Sequence, residues 1–283
     1  MTARRGAPTV LVDVLELERI EDDLFRGRSP RTALQRAFGG QVAGQALVAA
    51  GRTVPGGRIV RSLHGYFLRP GDQSVPIIYR VEANYDGDTV SGRRVSGIQH
   101  GRTIFSMSAA FDEVRDGPDH QDPMPEVPAP EDLEPSNLRP EPDADVFDIS
   151  GPFDIRVIDH PGGRATSTGR PSTARLWLRS RAELPDDPLQ HASVFTYASD
   201  LTLMATAFVP HRVNPQQAGF QTASLDHAMW FHRPFRTDEW LLYDKSSPSA
   251  SGARGLNTAN VFSQDGRLVI SVVQEGLMRP PRP

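Results

Sequence analysis

The sequence predicts an α+β fold in which two tandem antiparallel sheets each wrap around a long central helix. Three observations carry that expectation: an internal match that runs in the same order and at nearly the same offset through both halves, a buried-type helix ahead of several strands in each half, and a proline-rich stretch between them.

The repeat is clearest where Tyr66-Phe67-Leu68-Arg69-Pro70 matches Trp230-Phe231-His232-Arg233-Pro234 at an offset of 164 residues. Without a gap, Ile77-Ile78-Tyr79 then falls on Leu241-Leu242-Tyr243, and after a small gap Ser91-Gly92-Arg93-Arg94 faces Ser251-Gly252-Ala253-Arg254. Next, His100-Gly101-Arg102 faces Asp265-Gly266-Arg267, a turn before a strand, with Ile104-Phe105-Ser106 against Val269-Ile270-Ser271. Two unrelated hairpins with similar turns would not share this order and offset.

In the first half, Leu17 to Arg26 reads as a strand. Gly40 to Ala50 reads as a helix with small and apolar side chains on most faces, hence buried almost all round, and stopped by Gly51. Strands are expected at about 59–70, 75–85, 89–99 and 103–112. Prolines at 118, 123, 125, 128, 130, 135, 140, 142 and 152 then remove backbone donors and fix φ, which marks a connector without a core of its own. The expected organisation is a unit at 1–115, a connector at 116–150 and a second unit at 151–283. Whether the connector wraps against one unit is left open. The second unit repeats the pattern: a strand from Ile155 to His160, a helix from Asp200 to Phe208 with Ser199 or Asp200 at its N-cap and Pro210 at its end, then strands at about 220–234, 239–248, 251–263 and 267–278.

Composition narrows the function. The net charge of −4 and the scattered arginines give no basic footprint, so no nucleic-acid partner is expected. The chain has no cysteine, which excludes disulfides, cysteine nucleophiles and thiolate metal sites. Val10-Leu11-Val12 is interrupted by Asp13, and no run of about 18 apolar residues occurs; a cytoplasmic protein with no membrane partner is expected. There is no Gly-x-Ser-x-Gly elbow, dinucleotide or phosphate loop, or His-Glu-x-x-His, and the eight histidines lack metal-ligand spacing. Neither a metal nor a cofactor is expected.

Several strings point further: Phe38-Gly39-Gly40-Gln41-Val42 with Gly44-Gln45-Ala46, His64 to Asp72, Tyr197-Ala198-Ser199-Asp200-Leu201, Asp226 to Pro234, and Val273-Gln274-Glu275-Gly276. Together they resemble the acyl-CoA thioesterase II, or TesB-type, family. The resemblance runs from about Leu15 to Arg279 and fades only in the connector. It implies a double hotdog that hydrolyses fatty acyl-CoA, palmitoyl-CoA included, to free acid and CoA by direct attack of water, without covalent intermediate or cofactor. It also implies a homo-oligomer, dimer or tetramer. In that family an Asp at the start of the second helix, a Thr on the following strand and a Gln on the last strand hold the water. By motif match these are Asp200, Ser224 and Gln274, as catalytic residues in the second unit. Ser224 departs from the usual threonine, and Thr222, two residues away on the same sheet face, is an alternative hydroxyl.

The chemistry of these residue types agrees with that assignment. A thioester carbonyl is electrophilic, so hydrolysis needs a positioned water, a proton acceptor and donors for the oxyanion. Asp200 at a helix start would be held ionised by the dipole, which favours an orienting role; Ser224 and Gln274 both donate and accept. Taken singly, Asp200 reads as an N-cap, Ser224 as a strand hydroxyl and Gln274 as an edge residue; only their joint occurrence makes a site. His64 is a second candidate general base, and His227 and His232 are either site neighbours or packing residues. Gly39-Gly40 marks a close backbone approach, a helix start or a second, decayed site. The source of oxyanion donors is open. Rival readings are an acyl-CoA binding or sensing protein, against which the retained trio argues, and a hotdog dehydratase, whose hydration motif is not found.

Overall fold

The computed structural model describes residues 11–136, 138, 146–158, 172–215 and 218–281. In chain order the first half holds α1 (Leu11–Leu15), β1 (Glu18–Glu21), β2 (Leu24–Gly27), α2 (Gly39–Gly51), β3 (Ile59–Phe67), β4 (Ile77–Asp86), β5 (Val90–Gln99) and β6 (Arg102–Asp112). The second holds β7 (Phe153–Val157), β8 (Thr173–Ser180), α3 (Pro188–Ser199), a 3₁₀ segment (Met204–His211), β9 (Gln221–Ser224), β10 (Asp226–Phe231), β11 (Leu241–Ser251), β12 (Arg254–Ser263) and β13 (Leu268–Arg279).

All these strands belong to one sheet. Its order is β1-β2-β4-β5-β6-β3-β10-β13-β12-β11-β8-β7, with β9 against β13, so the sheets of the two halves are continuous through β3 and β10. The order is palindromic with respect to the repeat. In the antiparallel β3–β10 register His64 lies opposite Ala228, its own counterpart at the 164-residue offset. A pseudo-two-fold axis therefore passes through that pair. The halves are related as two subunits of a dimer would be, here on one chain.

Alternation along the strands sets the faces. Ile77, Tyr79 and Val81 of β4, and Leu241 and Tyr243 of β11, point into a core that also contains both helices. Every residue from Gly40 to Ala50 is buried, as the helix pattern requires. The two helices lie antiparallel in direct contact, and glycines make the approach possible. A Cβ on Gly40 would lie 2.3 Å from the Tyr197 carbonyl oxygen, one on Gly44 3.1 Å from that of Ser193, and one on Gly51 2.5 Å from the Leu189 side chain. The start of α2 is thereby placed against the end of α3.

The expected second helix is displaced. It occupies Pro188–Ser199, not Asp200–Phe208, and Asp200 is its C-cap. The reason is legible at both ends. Asp187 accepts the Leu189 N–H at 2.9 Å and Pro188 opens the first turn, a standard start. At the far end the Tyr243 hydroxyl donates to the Ser199 carbonyl at 2.9 Å, and the apolar stretch that follows runs as a tight 3₁₀ segment with Pro210 inside it. Pro188–His211 is long and apolar enough by composition to cross a membrane, but 67% of its apolar window is buried within this fold. The expected strand at Leu17–Arg26 is the β1–β2 hairpin. That at Ile155–His160 is β7, with 159–160 outside the described residues; β8 was not anticipated.

The connector lies along both halves: the Phe147 N–H donates to the Arg31 carbonyl in the first, and its 121–133 stretch covers the second. Met124, Val127 and Leu133 pack on Trp177, Trp240, Leu242 and Phe262, side chains on the face of the sheet opposite the helices. Trp177 Nε1 donates to the Pro128 carbonyl at 2.9 Å, and Gln121 pairs with the Gly266 carbonyl and the Leu268 N–H at 2.8 and 2.9 Å. An antiparallel sheet leaves one face for solvent; here the connector covers an apolar part of it. Trp177→Ala is expected to cost about 3–5 kcal/mol in a denaturant titration and to speed proteolysis within 118–136.

Candidate active site

The site forms where the end of α3 meets the start of α2. Asp200 Oδ1 accepts the Gln274 Nε2–H at 2.7 Å and the Ser224 hydroxyl at 3.0 Å, and Gln274 Nε2 is 3.2 Å from Ser224 Oγ. Each side chain reaches this point from a different element: Asp200 caps α3, Ser224 ends β9, and Gln274 lies on β13 two residues before Gly276, the partner of Ser224. The Gly40 N–H also donates to Asp200. A Cβ on Gly39 would lie 2.6 Å from Asp200 Oδ2, so the carboxylate rests against the first turn of α2. Lys245, the lone lysine, is buried and donates to Thr202 Oγ1 at 2.7 Å, holding the turn after Asp200.

The electrostatics differ from the expectation. Asp200 sits at the negative end of the α3 dipole, not at a helix start. Desolvation raises its pKa above the ordinary aspartate value, opposed by the hydrogen bonds from Gln274, Ser224 and the Gly40 N–H. It is therefore a better base than the helix-start placement implied. The positive end of α2 faces it instead, and no side chain caps that helix, whose Phe38 N-cap makes no such bond. His227 is fully buried beside Gln274: its Nδ1 is 3.1 Å from Gln274 Nε2 and its Nε2 is 2.8 Å from Ser199 Oγ. Burial pushes its imidazole down to about 4. Gln274 Oε1, also buried, has no hydrogen-bond partner among the described residues.

The structure thus brings Asp200, Ser224 and Gln274 into mutual hydrogen-bonding distance. Of the two alternative hydroxyls it is Ser224 that bonds Asp200; Thr222 lies further along β9, opposite Met278. His64 and His232 are elsewhere. His64 is exposed and packs edge-on against Trp230 at 5.0 Å, and the exposed His232 Nε2 bonds Ser271 Oγ at 2.9 Å. The Gly39-Gly40 pair belongs to the Asp200 site and does not mark a separate one. In the repeat, the counterparts of Gln274 and His227 are Ala109 and Leu63, so the pseudo-symmetric junction lacks these polar groups. Of the two readings open for His227, the structure places it beside the trio, with a link to Gln274 that the sequence did not specify. Among the described residues no group of three or more His, Asp or Glu is placed to hold a metal.

A sheet of two related halves around two paired helices is a double hotdog, with a carboxylate, a hydroxyl and an amide gathered at one helix junction. A family model described as acyl-CoA thioesterase matches residues 154–277, and one described as acyl-CoA thioesterase N-terminal domain matches 28–112. The chain is 39% identical to acyl-CoA thioesterase 2 of Haemophilus influenzae, over 95% of this chain and 96% of that one. It is 38% identical to human acyl-coenzyme A thioesterase 8, over 97% and 92%. Among solved structures it is similar to the acyl-CoA thioesterase II TesB2 of Mycobacterium marinum, with a TM-score of 0.82 and 43% identity over 96% of this chain and 99% of that one. The chain belongs to the acyl-CoA thioesterase II, TesB-type, family.

The raised Asp200 pKa has a stability consequence with a definite sign. Folding favours the protonated carboxyl; that contribution is complete below the unfolded-state pKa and is lost as pH rises through the folded one. Asp200→Asn keeps the acceptor but carries no charge. Thermal melts are expected to show it at least as stable as wild type at pH 7.5, with the difference closing near about pH 3.5; a clearly lower melting temperature at pH 7.5 would contradict this.

Proposed function

We propose that the protein hydrolyses fatty acyl-CoA to free fatty acid and CoA by direct attack of a water held by Asp200, Ser224 and Gln274, with no covalent intermediate. The observation that carries this reading is the single carboxylate oxygen, Asp200 Oδ1, that gathers both the Ser224 hydroxyl and the Gln274 amide. Asp200 accepts the proton of the attacking water, a task suited to a carboxylate made more basic by burial. Gln274 Oε1 and the second lone pair of Ser224 Oγ offer acceptors beside it. The uncapped first turn of α2 supplies amide donors where negative charge grows on the thioester oxygen. The leaving thiolate takes up the proton from Asp200, which returns the site to its starting state.

Single turnover in H₂¹⁸O tests the mechanism. The label is expected in the released acid and not in the Asp200 peptide; label in that peptide would mean an acyl anhydride and overturn direct attack. Asp200→Ala is expected to slow thiol release by a factor on the order of 10²–10⁴, and tight binding of acyl-CoA by the wild type without thiol release would overturn hydrolysis itself. The acid limb of kcat/KM is expected to report a pKa above that of an ordinary aspartate, with activity rising with pH as Asp200 ionises. Gly39→Ala, whose Cβ would displace Asp200 Oδ2, is expected to lower kcat about 10-fold or more.

We also propose a homo-oligomer, supported by Tyr66, Leu68 and Trp230, which are large apolar side chains exposed near the pseudo-two-fold axis. A light-scattering mass near the 31.1 kDa of one chain would refute it.

A further inference from the structure

We propose that His227 is a positioning residue of this site: through Ser199 it is held as the Nε2–H tautomer, and its Nδ1 lone pair fixes the Gln274 amide with nitrogen toward Asp200. The inference rests on the hydrolytic reading above and deepens it.

The hydrogen-bond directions follow from proton counting. Ser199 Oγ has one proton, which goes to the Thr196 carbonyl at 2.8 Å; the Met229 sulfur at 3.7 Å is a weaker alternative. The 2.8 Å contact between Ser199 Oγ and His227 Nε2 therefore requires the proton on Nε2. A neutral imidazole then offers a lone pair at Nδ1, which is 3.1 Å from the Gln274 side chain. Only the amide nitrogen fits there. That nitrogen has two protons, and the second is shared between Asp200 Oδ1, 2.7 Å away, and Ser224 Oγ, 3.2 Å away. Turning the amide over would set its oxygen against both the carboxylate and the imidazole lone pair. Gln274 Oε1 is in consequence the atom left unpartnered.

The chain of bonds closes on itself. It leaves the last turn of α3 at Thr196 and Ser199, crosses to His227 on β10 and Gln274 on β13, and returns to Asp200, the residue after Ser199. Burial holds the imidazole neutral, as the relay needs. His227 does not bond Asp200 and acts on it only through Gln274.

The test uses the full chain with His227→Leu, His227→Asn, Gln274→Ala and the Leu/Ala double variant, assayed by thiol release from acyl-CoA. His227→Leu is expected to lower kcat about 10- to 100-fold with KM within about twofold. His227→Asn, which returns an acceptor near the Nδ1 position, should recover most of the loss. The double variant should be no slower than Gln274→Ala, since both changes remove one device. Nitrogen NMR of the wild-type histidines at pH 7 should show His227 protonated at Nε2 alone. Gln274→Ala at full rate would refute the site itself. A slow Gln274→Ala beside a fast His227→Leu would refute only the role of His227, as would independent multiplication of the two losses. If the leucine variant does not fold, a proton on Nδ1 in the wild type, or a His227→Asn variant slower than Gln274→Ala, overturns the proposal.

Discussion

Everything in this molecule depends on the contact between α2 and α3. Two buried helices approach closely only where side chains are absent, and Gly40, Gly44 and Gly51 provide that along one face of α2. The antiparallel arrangement sets the positive end of α2 against the negative end of α3. Asp200 stands at that junction, with the Gly40 N–H donating to it and Gly39 too small to exclude it. The contact that completes the core therefore also shapes the electrostatics of the site.

The pseudo-two-fold symmetry would create two such junctions, yet their polar groups differ. Where the second half has Gln274 and His227, the first has Ala109 and Leu63 in the repeat. Apolar replacement avoids the cost of burying polar groups that have no partners. Division of labour between the halves follows: the second contributes the side chains, and the first contributes the helix start that faces them. Membership of the thioesterase II family and this one-sided polar junction are mutually consistent.

A buried polar network is stable only when its directions agree. Here Thr196, Ser199, His227, Gln274 and Asp200 form one sequence of donors and acceptors, with Ser224 joining at the carboxylate. Around it, Tyr243 and Lys245 secure the turn after α3 from the β11 strand. Residues 124–133 of the connector act at a distance from all this, shielding the outer apolar row of the second half-sheet and so supporting the strands that carry the site.

By itself the sequence determined the repeat, the sheet-forming strands after each helix and the buried helix at 39–51, and it named Asp200, Ser224 and Gln274, which the structure brings into hydrogen-bonding distance. These are properties of local pattern or of long strings in fixed order, which survive without coordinates. It misplaced the second helix because the apolar run at 201–208 outweighed the Asp187-Pro188 start signal, and so it put Asp200 at the wrong end of a dipole. Only tertiary structure decided the continuous sheet through β3 and β10, the bond to Asp200 from Ser224 and not Thr222, and the face on which residues 124–133 lie. The rise in the Asp200 pKa and the setting of the Gln274 amide by His227 were likewise beyond reach. The physical reason is common to all of them: desolvation and hydrogen-bond direction depend on which distant residues are brought together, and no local pattern contains that.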